Sequence, residues 1–236
     1  MFKPKKNKKK ERIILIVFFV IILAGASYLF FFTEIAKISK IEIKGSDYFK
    51  EEEAKELLGS PAYIFSPIEI GELPMEIKEA NFKRNYFTRK ISLEIKERSH
   101  YAMWCFDEGE IKNCKWFDED GLIFTLAPFS QGNFIKVIFG DRKVEIGENI
   151  LPENNFKNLK GIFDIMERNK FSIESYQIEN SKNEEITAYI SGTPIYLSLR
   201  INPEFIEKAL NSLKDEIIRI SYIDLRSENR AFYKNK

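Results

Sequence analysis

The chain has 236 residues, room for one or two domains once any membrane segment is subtracted. Hydrophobic residues make up 44% and aromatics 14%, which excludes a disordered chain, and 37 basic against 36 acidic residues exclude binding of nucleic acid by bulk charge. Two cysteines and one histidine leave little material for metal sites or for thiol and imidazole catalysis, and eleven glycines argue against phosphate-cradling loops.

The charge is unevenly placed. Lys3, Lys5, Lys6, Lys8, Lys9, Lys10 and Arg12 against Glu11 give residues 1–12 a charge of +6, so the remainder carries −5. Residues 13–32, IILIVFFVIILAGASYLFFF, follow without a charge. As a helix these twenty residues span about 30 Å, the thickness of a bilayer's hydrocarbon core. The basic tail favours retention in the cytoplasm, so the expected topology is N-in, C-out, with a single pass through the cell membrane. Ala24-Gly25-Ala26 offers a signal-peptidase pattern. Tyr28 to Phe32 carries the apolar run past it to full spanning length, which favours an anchor. No cysteine lies nearby to make a lipoprotein.

A first outer unit is expected over residues 36–98. Ile41 and Ile43 alternate with Lys40, Glu42 and Lys44 in a half-buried strand ending at Gly45. Ser46 or Asp47 can cap a helix with Glu51, Glu52 and Glu53 in its first turn. Ala54, Leu57 and Leu58 form its inner face. A second short helix is expected at 67–77. Ala80, Phe82 and Arg84 mark a strand, and Ile91, Leu93 and Ile95 mark another.

A second unit is expected over residues 99–236, an α+β domain with a mainly antiparallel sheet and helices on one face. Tyr101–Phe106 and Ile111–Phe117 read as a hairpin. If Gly109 and Glu110 centre its turn, Cys105 and Cys114 stand directly opposite. Opposed Cβ atoms lie about 4.5–5.5 Å apart, close to disulfide reach, and the space outside the membrane permits oxidation. A disulfide between Cys105 and Cys114 is therefore expected. Strands follow at 122–126, 134–139 and 143–146. A helix is expected near 154–168, then strands at 171–179, 185–190 and 194–200. Asn202-Pro203-Glu204 opens a helix with the buried stripe Ile206, Ala209, Leu210, Leu213 and Ile217. Arg219–Leu225 and Asn229–Lys234 are the final strands.

Several local patterns are ordered along this frame. Ile41-Glu42-Ile43-Lys44-Gly45 opens the first outer unit, and Ile91-x-Leu93-x-Ile95-x-Glu97-Arg98 leads into Ala102-x-Trp104. Phe117-Asp118-Glu119-Asp120-Gly121-Leu122-Ile123-Phe124 and Leu151-Pro152 follow, and Ser221-Tyr222-Ile223-Asp224-Leu225-Arg226 lies near the C-terminus. Together they resemble the bacterial cell-division family FtsQ/DivIB, over nearly the whole chain. The resemblance implies a POTRA domain (strand, helix, helix, strand, strand) followed by the family's β domain. His100 and Phe87 depart from it, standing where the family often has proline.

What the resemblance implies is a septal scaffold rather than an enzyme. It would recruit coiled-coil membrane proteins like FtsB (DivIC) and FtsL and help control septal peptidoglycan synthesis. It needs no cofactor, small-molecule substrate or nucleic acid. The last strand, read as an uncovered edge, is open to β-augmentation. In the family FtsB docks there, which carries partner binding to Asn229, Arg230, Ala231, Phe232 and Tyr233, with Ser227 at the turn. Another anchored POTRA protein of secretion or envelope assembly, or an anchored murein enzyme, is the competing reading. Chemistry adds little to either. His100 is alone, and the 36 acids select no catalytic pair. Asp118-x-Asp120-Gly121 lacks the rest of a calcium loop and reads as a β-turn.

Overall fold

A computed structural model describes residues 8–32, 37–50, 52, 54, 55, 58, 73–85, 87–107, 112–128, 135–214 and 216–236. The chain divides into two compact units, Met1–Glu97 and Arg98–Lys236. The first begins with helix α1, Lys8–Phe32, 25 residues long. Its apolar side chains from Ile13 to Leu23 are all exposed. A helix apolar all round has no polar face to offer water. The window Arg12–Leu29 is long and apolar enough to cross a membrane.

Three strands follow: β1 (Lys40–Lys44), β2 (Ile77–Asn85) and β3 (Lys90–Glu97). Their order in the sheet is β1-β3-β2, with β1 parallel to β3 and β2 antiparallel to it. Alternation decides the faces. Ile91, Leu93 and Ile95 join Ile38, Ile41, Phe49, Ala54 and Ile77 in one core. The other face carries ion pairs, Lys83–Glu94 at 2.7 Å and Lys90–Glu42. Ser46 Oγ accepts the N–H of Phe49 at 2.8 Å and donates to Glu97 at 2.6 Å, in a bend that is not itself helical. The helix expected after it lies largely outside the described residues, as does most of the one expected at 67–77. The described end of the latter, Leu73–Glu76, is not helical. The Ile77 N–H closes a turn onto the Pro74 carbonyl, and Ile77 already pairs with Glu97 in the sheet.

The second unit contains β4 (Ala102–Asp107), β5 (Lys112–Phe117), β6 (Ile123–Ala127), β7 (Val137–Phe139), α2 (Glu153–Arg168), β8 (Ile173–Gln177), β9 (Glu185–Ile190), β10 (Thr193–Ser198), α3 (Glu204–Leu213), β11 (Ile220–Leu225) and β12 (Phe232–Asn235). They make one nine-stranded sheet in the order β12-β11-β10-β9-β8-β7-β4-β5-β6. Most pairings are antiparallel, but β4–β7, β7–β8 and β10–β11 are parallel. Two of these are crossovers through a helix, β7-α2-β8 and β10-α3-β11. Both step the same way along the sheet from strands running in the same direction. Right-handed crossovers then put both helices on one face.

That face holds the main core. Phe156, Leu159, Ile162, Phe163 and Met166 of α2 and Ile206, Leu210 and Leu213 of α3 cover Trp104, Phe117, Ile138, Ile195, Leu197, Ile223 and Leu225. Asn202 Oδ1 takes the Glu204 N–H at 3.0 Å, starting α3 where the Asn-Pro pair indicates. The helix ends at Leu213, and Ile217 of the expected stripe is buried instead in a 3-10 turn, Ile217–Arg219. On the opposite face Met103, Cys105, Cys114 and Val137 form a small separate core.

One expected strand is not formed. Residues 143–146 bury Val144 alone, and it is the residues after them that bond to the start of β6 and the turn before it: Ile123 N–H to Glu148 O, Gly147 N–H to Ile123 O and Ile150 N–H to Gly121 O. The final strand starts later than expected, at Phe232 rather than Asn229.

Candidate functional site

Strand β12 lies at one end of the sheet order and, among the described residues, is paired on one side only, with β11. Tyr222 faces Lys234, Ile223 faces Tyr233 and Asp224 faces Phe232, with a bulge between Ile220 and Tyr222. All of Phe232–Asn235 is exposed, Phe232 at 53% and Tyr233 at 49%. The Lys236 N–H donates to the Arg219 carbonyl at 2.9 Å. Backbone direction alternates along a strand, so Phe232 and Lys234 turn their N–H and C=O toward β11. Those of Tyr233 and Asn235 point away from it. Side chains alternate too. Tyr233 lies on the helix side with Ile223, and Phe232 and Lys234 lie on the open side with Asp224 and Tyr222.

The link between the two strands is a fixed turn. Asn229 takes a positive φ of 59°, and the Arg230 N–H reaches the Ser227 carbonyl at 3.3 Å. This turn consumes Asn229–Ala231, which is why the strand begins three residues late. Arg226 holds the turn against the sheet. Its guanidinium donates to Asp224 Oδ1 at 2.9 Å and Oδ2 at 2.6 Å, and to Glu185 at 3.0 Å on β9. It also stacks 5.2 Å from the Tyr196 ring centre. Hydrogen bonding from Arg226 holds the Asp224 carboxyl below the usual aspartate range.

The face of the sheet away from the helices continues from this edge. Strand register sets one row across it, Thr187, Tyr196, Asp224 and Phe232, and beside it the pairs Tyr189–Pro194 and Tyr222–Lys234. The Tyr196 and Tyr222 rings are 6.2 Å apart, and the Tyr189 hydroxyl donates to Gln177 at 3.2 Å. A cavity of about 120 Å³ opens beside Arg226 and Tyr196, lined also by Gln177, Asn180 and Thr187. Sequence reasoning assigned no role to this aromatic face. Its signal was present, since Tyr189, Tyr196 and Tyr222 each adjoin a core aliphatic and must therefore point the other way.

The other candidate residues lie apart from this edge. Cys105 and Cys114 are paired in the β4–β5 register and joined by a disulfide, with Cα atoms 4.1 Å apart. They sit toward the far end of the sheet from β12. His100 is exposed, its ring 5.0 Å from that of Trp116 and 5.2 Å from that of Phe124. Asp118 is buried in a β-turn closed by Gly121 N–H to Asp118 O at 3.0 Å. Its carboxylate accepts from the N–H groups of Asp120 and Leu122 and from Arg98. Among the described residues no group of three or more His, Cys, Asp or Glu is placed to hold a metal ion. No protein-family model matches the chain, and no curated protein matches it.

Proposed function

We propose that the chain is a single-pass membrane scaffold of FtsQ/DivIB type, which acts at the division septum by binding coiled-coil proteins like FtsB (DivIC) and FtsL. The anchor would be α1, with the basic tail in the cytoplasm and both outer units beyond the membrane, the first of them a POTRA domain. The observation that carries the reading is β12. It is an exposed, one-sided edge directly after the strand holding Tyr222-Ile223-Asp224-Leu225, the most specific part of the resemblance. A partner strand would bond to the outward amides of Tyr233 and Asn235, adding a tenth strand to the sheet. Phe232 and the Tyr196–Tyr222 face would receive its apolar side chains, and no catalytic step is involved.

The test follows the direction of the amides. Tyr233→Pro removes an outward donor while Phe232 and Lys234 keep their bonds to β11. This variant should lose FtsB-like partner capture from solution while its circular dichroism matches the parent. Ala231→Pro, in the turn, should weaken capture less. Undiminished capture by the Tyr233 variant would remove the edge from consideration and move the search to the first unit.

A further inference from the structure

We propose that the turn joining β2 to β3, with Phe87 at its tip, rests on the outer surface of the bilayer as an aromatic foot among basic side chains. The inference rests on α1 spanning that bilayer, and the surface it names is one of anionic, phosphate-bearing headgroups.

Phe87 is the most exposed large apolar side chain among the described residues, at 101%. A single exposed hydrophobe is ordinary. Its setting is not. The Asn85 side-chain oxygen takes the Thr88 N–H at 3.1 Å, and Arg89 adopts a positive φ of 53°. The Arg89 carbonyl then accepts the Ser39 N–H at 2.9 Å, the Ser39 hydroxyl at 3.4 Å and the Lys40 N–H at 3.4 Å. The turn is thus fastened to the residues that open β1, and Phe87 is held out from it.

Where β1 opens decides what lies near. Ser39 follows Phe32, the end of α1, by seven residues, a reach of about 25 Å at full extension. Because β1 and β3 are parallel, with Lys40 beside Lys90, the tip lies at the same end of the sheet as this tether. Glu97, which leads to the second unit, is at the opposite end of β3, about 25 Å further on.

Charge points the same way. Residues 83–90 carry Lys83, Arg84, Arg89 and Lys90, of which Lys83 pairs with Glu94 and Lys90 with Glu42, and Lys37 and Lys40 at the start of β1 leave this end of the sheet with a net positive charge. Basic residues beside a membrane are drawn to anionic headgroups, and an apolar side chain presented among them, Phe included, can bury at the boundary between headgroup and acyl chain. Phe87 therefore stands where an apolar tip has somewhere to go.

The experiment uses the full chain, reconstituted in phosphatidylcholine vesicles with and without phosphatidylglycerol. Phe87→Cys is spin-labelled, the native cysteines being buried and joined to each other. Glu79→Cys, exposed at the far end of the same strand, is the reference. The ratio of oxygen to nickel-chelate accessibility should be several-fold higher at 87 than at 79, and higher with phosphatidylglycerol than without. Equal ratios at the two sites overturn the proposal. So does a label at 87 that is immobilised but open to the nickel chelate, which would mean a protein contact. Release of the chain by an alkaline wash would instead overturn the spanning role of α1, and is read separately from the label.

Discussion

Asp118 shows how a residue that looks like chemistry can be structure. Its side chain is 1% exposed, and Arg98, its ion-pair partner at 2.5 Å, is 16% exposed. The carboxylate satisfies two backbone N–H groups of the turn and the guanidinium at the first residue of the second unit. Asp118→Ala removes the acceptor that all three donors share. Breaking a buried pair from one side costs about 3–5 kcal/mol. The denaturation midpoint of the variant should fall accordingly, while His100→Ala and Asp120→Ala stay near the parent in stability and in the capture of the proposed partner. A variant at 118 that is fully stable yet inactive would give Asp118 a functional role. Neighbouring Gly121 has φ +83°, and a Cβ there would meet the Phe156 ring at 2.9 Å. The turn was legible in Asp-x-Asp-Gly, but Arg98 as its partner was not, because nothing local ties residues twenty apart.

The β4–β5 hairpin carries its own fastening. Its inner face contributes Ala102, Trp104 and Phe117 to the main core, but its outer face has only the small cluster around Met103 and Val137. A disulfide across so thin a core does work that a helix does elsewhere. Closing a loop of roughly ten residues is worth about 2–3 kcal/mol in the chain-entropy description. The paired Cys105→Ser and Cys114→Ser variant should lose about that much in denaturant unfolding. Alkylation of the native protein without reductant should find no free thiol, and two would show the bridge absent. The opposition of these cysteines was readable because hairpin register is arithmetic. The parallel pairings were not. A strand-helix-strand run indicates a crossover only once the two strands are known to be neighbours, and that is set by core packing far along the chain. Residues 143–146 failed as a strand for a related reason: alternation was there, but the bonds to β6 fall on Gly147 and Glu148, just beyond them. In β12 the positive φ of Asn229 lengthened a turn that composition alone made look shorter.

Over the whole second unit, the aromatic centre governs the response to alkali. Burial raises the Tyr101 and Tyr176 hydroxyls above the ordinary tyrosine range, and the carboxylates of Asp164 and Glu167 add to the rise at Tyr101. Both folded values exceed the unfolded one of about 10. Their contribution is intact below about pH 10 and is lost as pH climbs from there toward the folded values, because the unfolded chain gives up its protons first. The thermal midpoint should drop between about pH 10 and 11, and a Tyr101→Phe, Tyr176→Phe variant should drop less; equal slopes would contradict this. Between α1 and the second unit, a different property follows from the parallel pairing of β1 with β3. The chain from α1 arrives at the first residue of β1 and leaves for the second unit from the last residue of β3. Tension between the two ends therefore pulls these strands past each other along their length. Every hydrogen bond between them bears load at once, as in a lap joint rather than a zip. Single-molecule extension from residues 37 and 98 should need a higher rupture force than extension from 77 and 97, which peels β2 from β3 pair by pair. With α1 in a bilayer as proposed, the small first unit would be a force-bearing coupling between that bilayer and whatever pulls on the second unit.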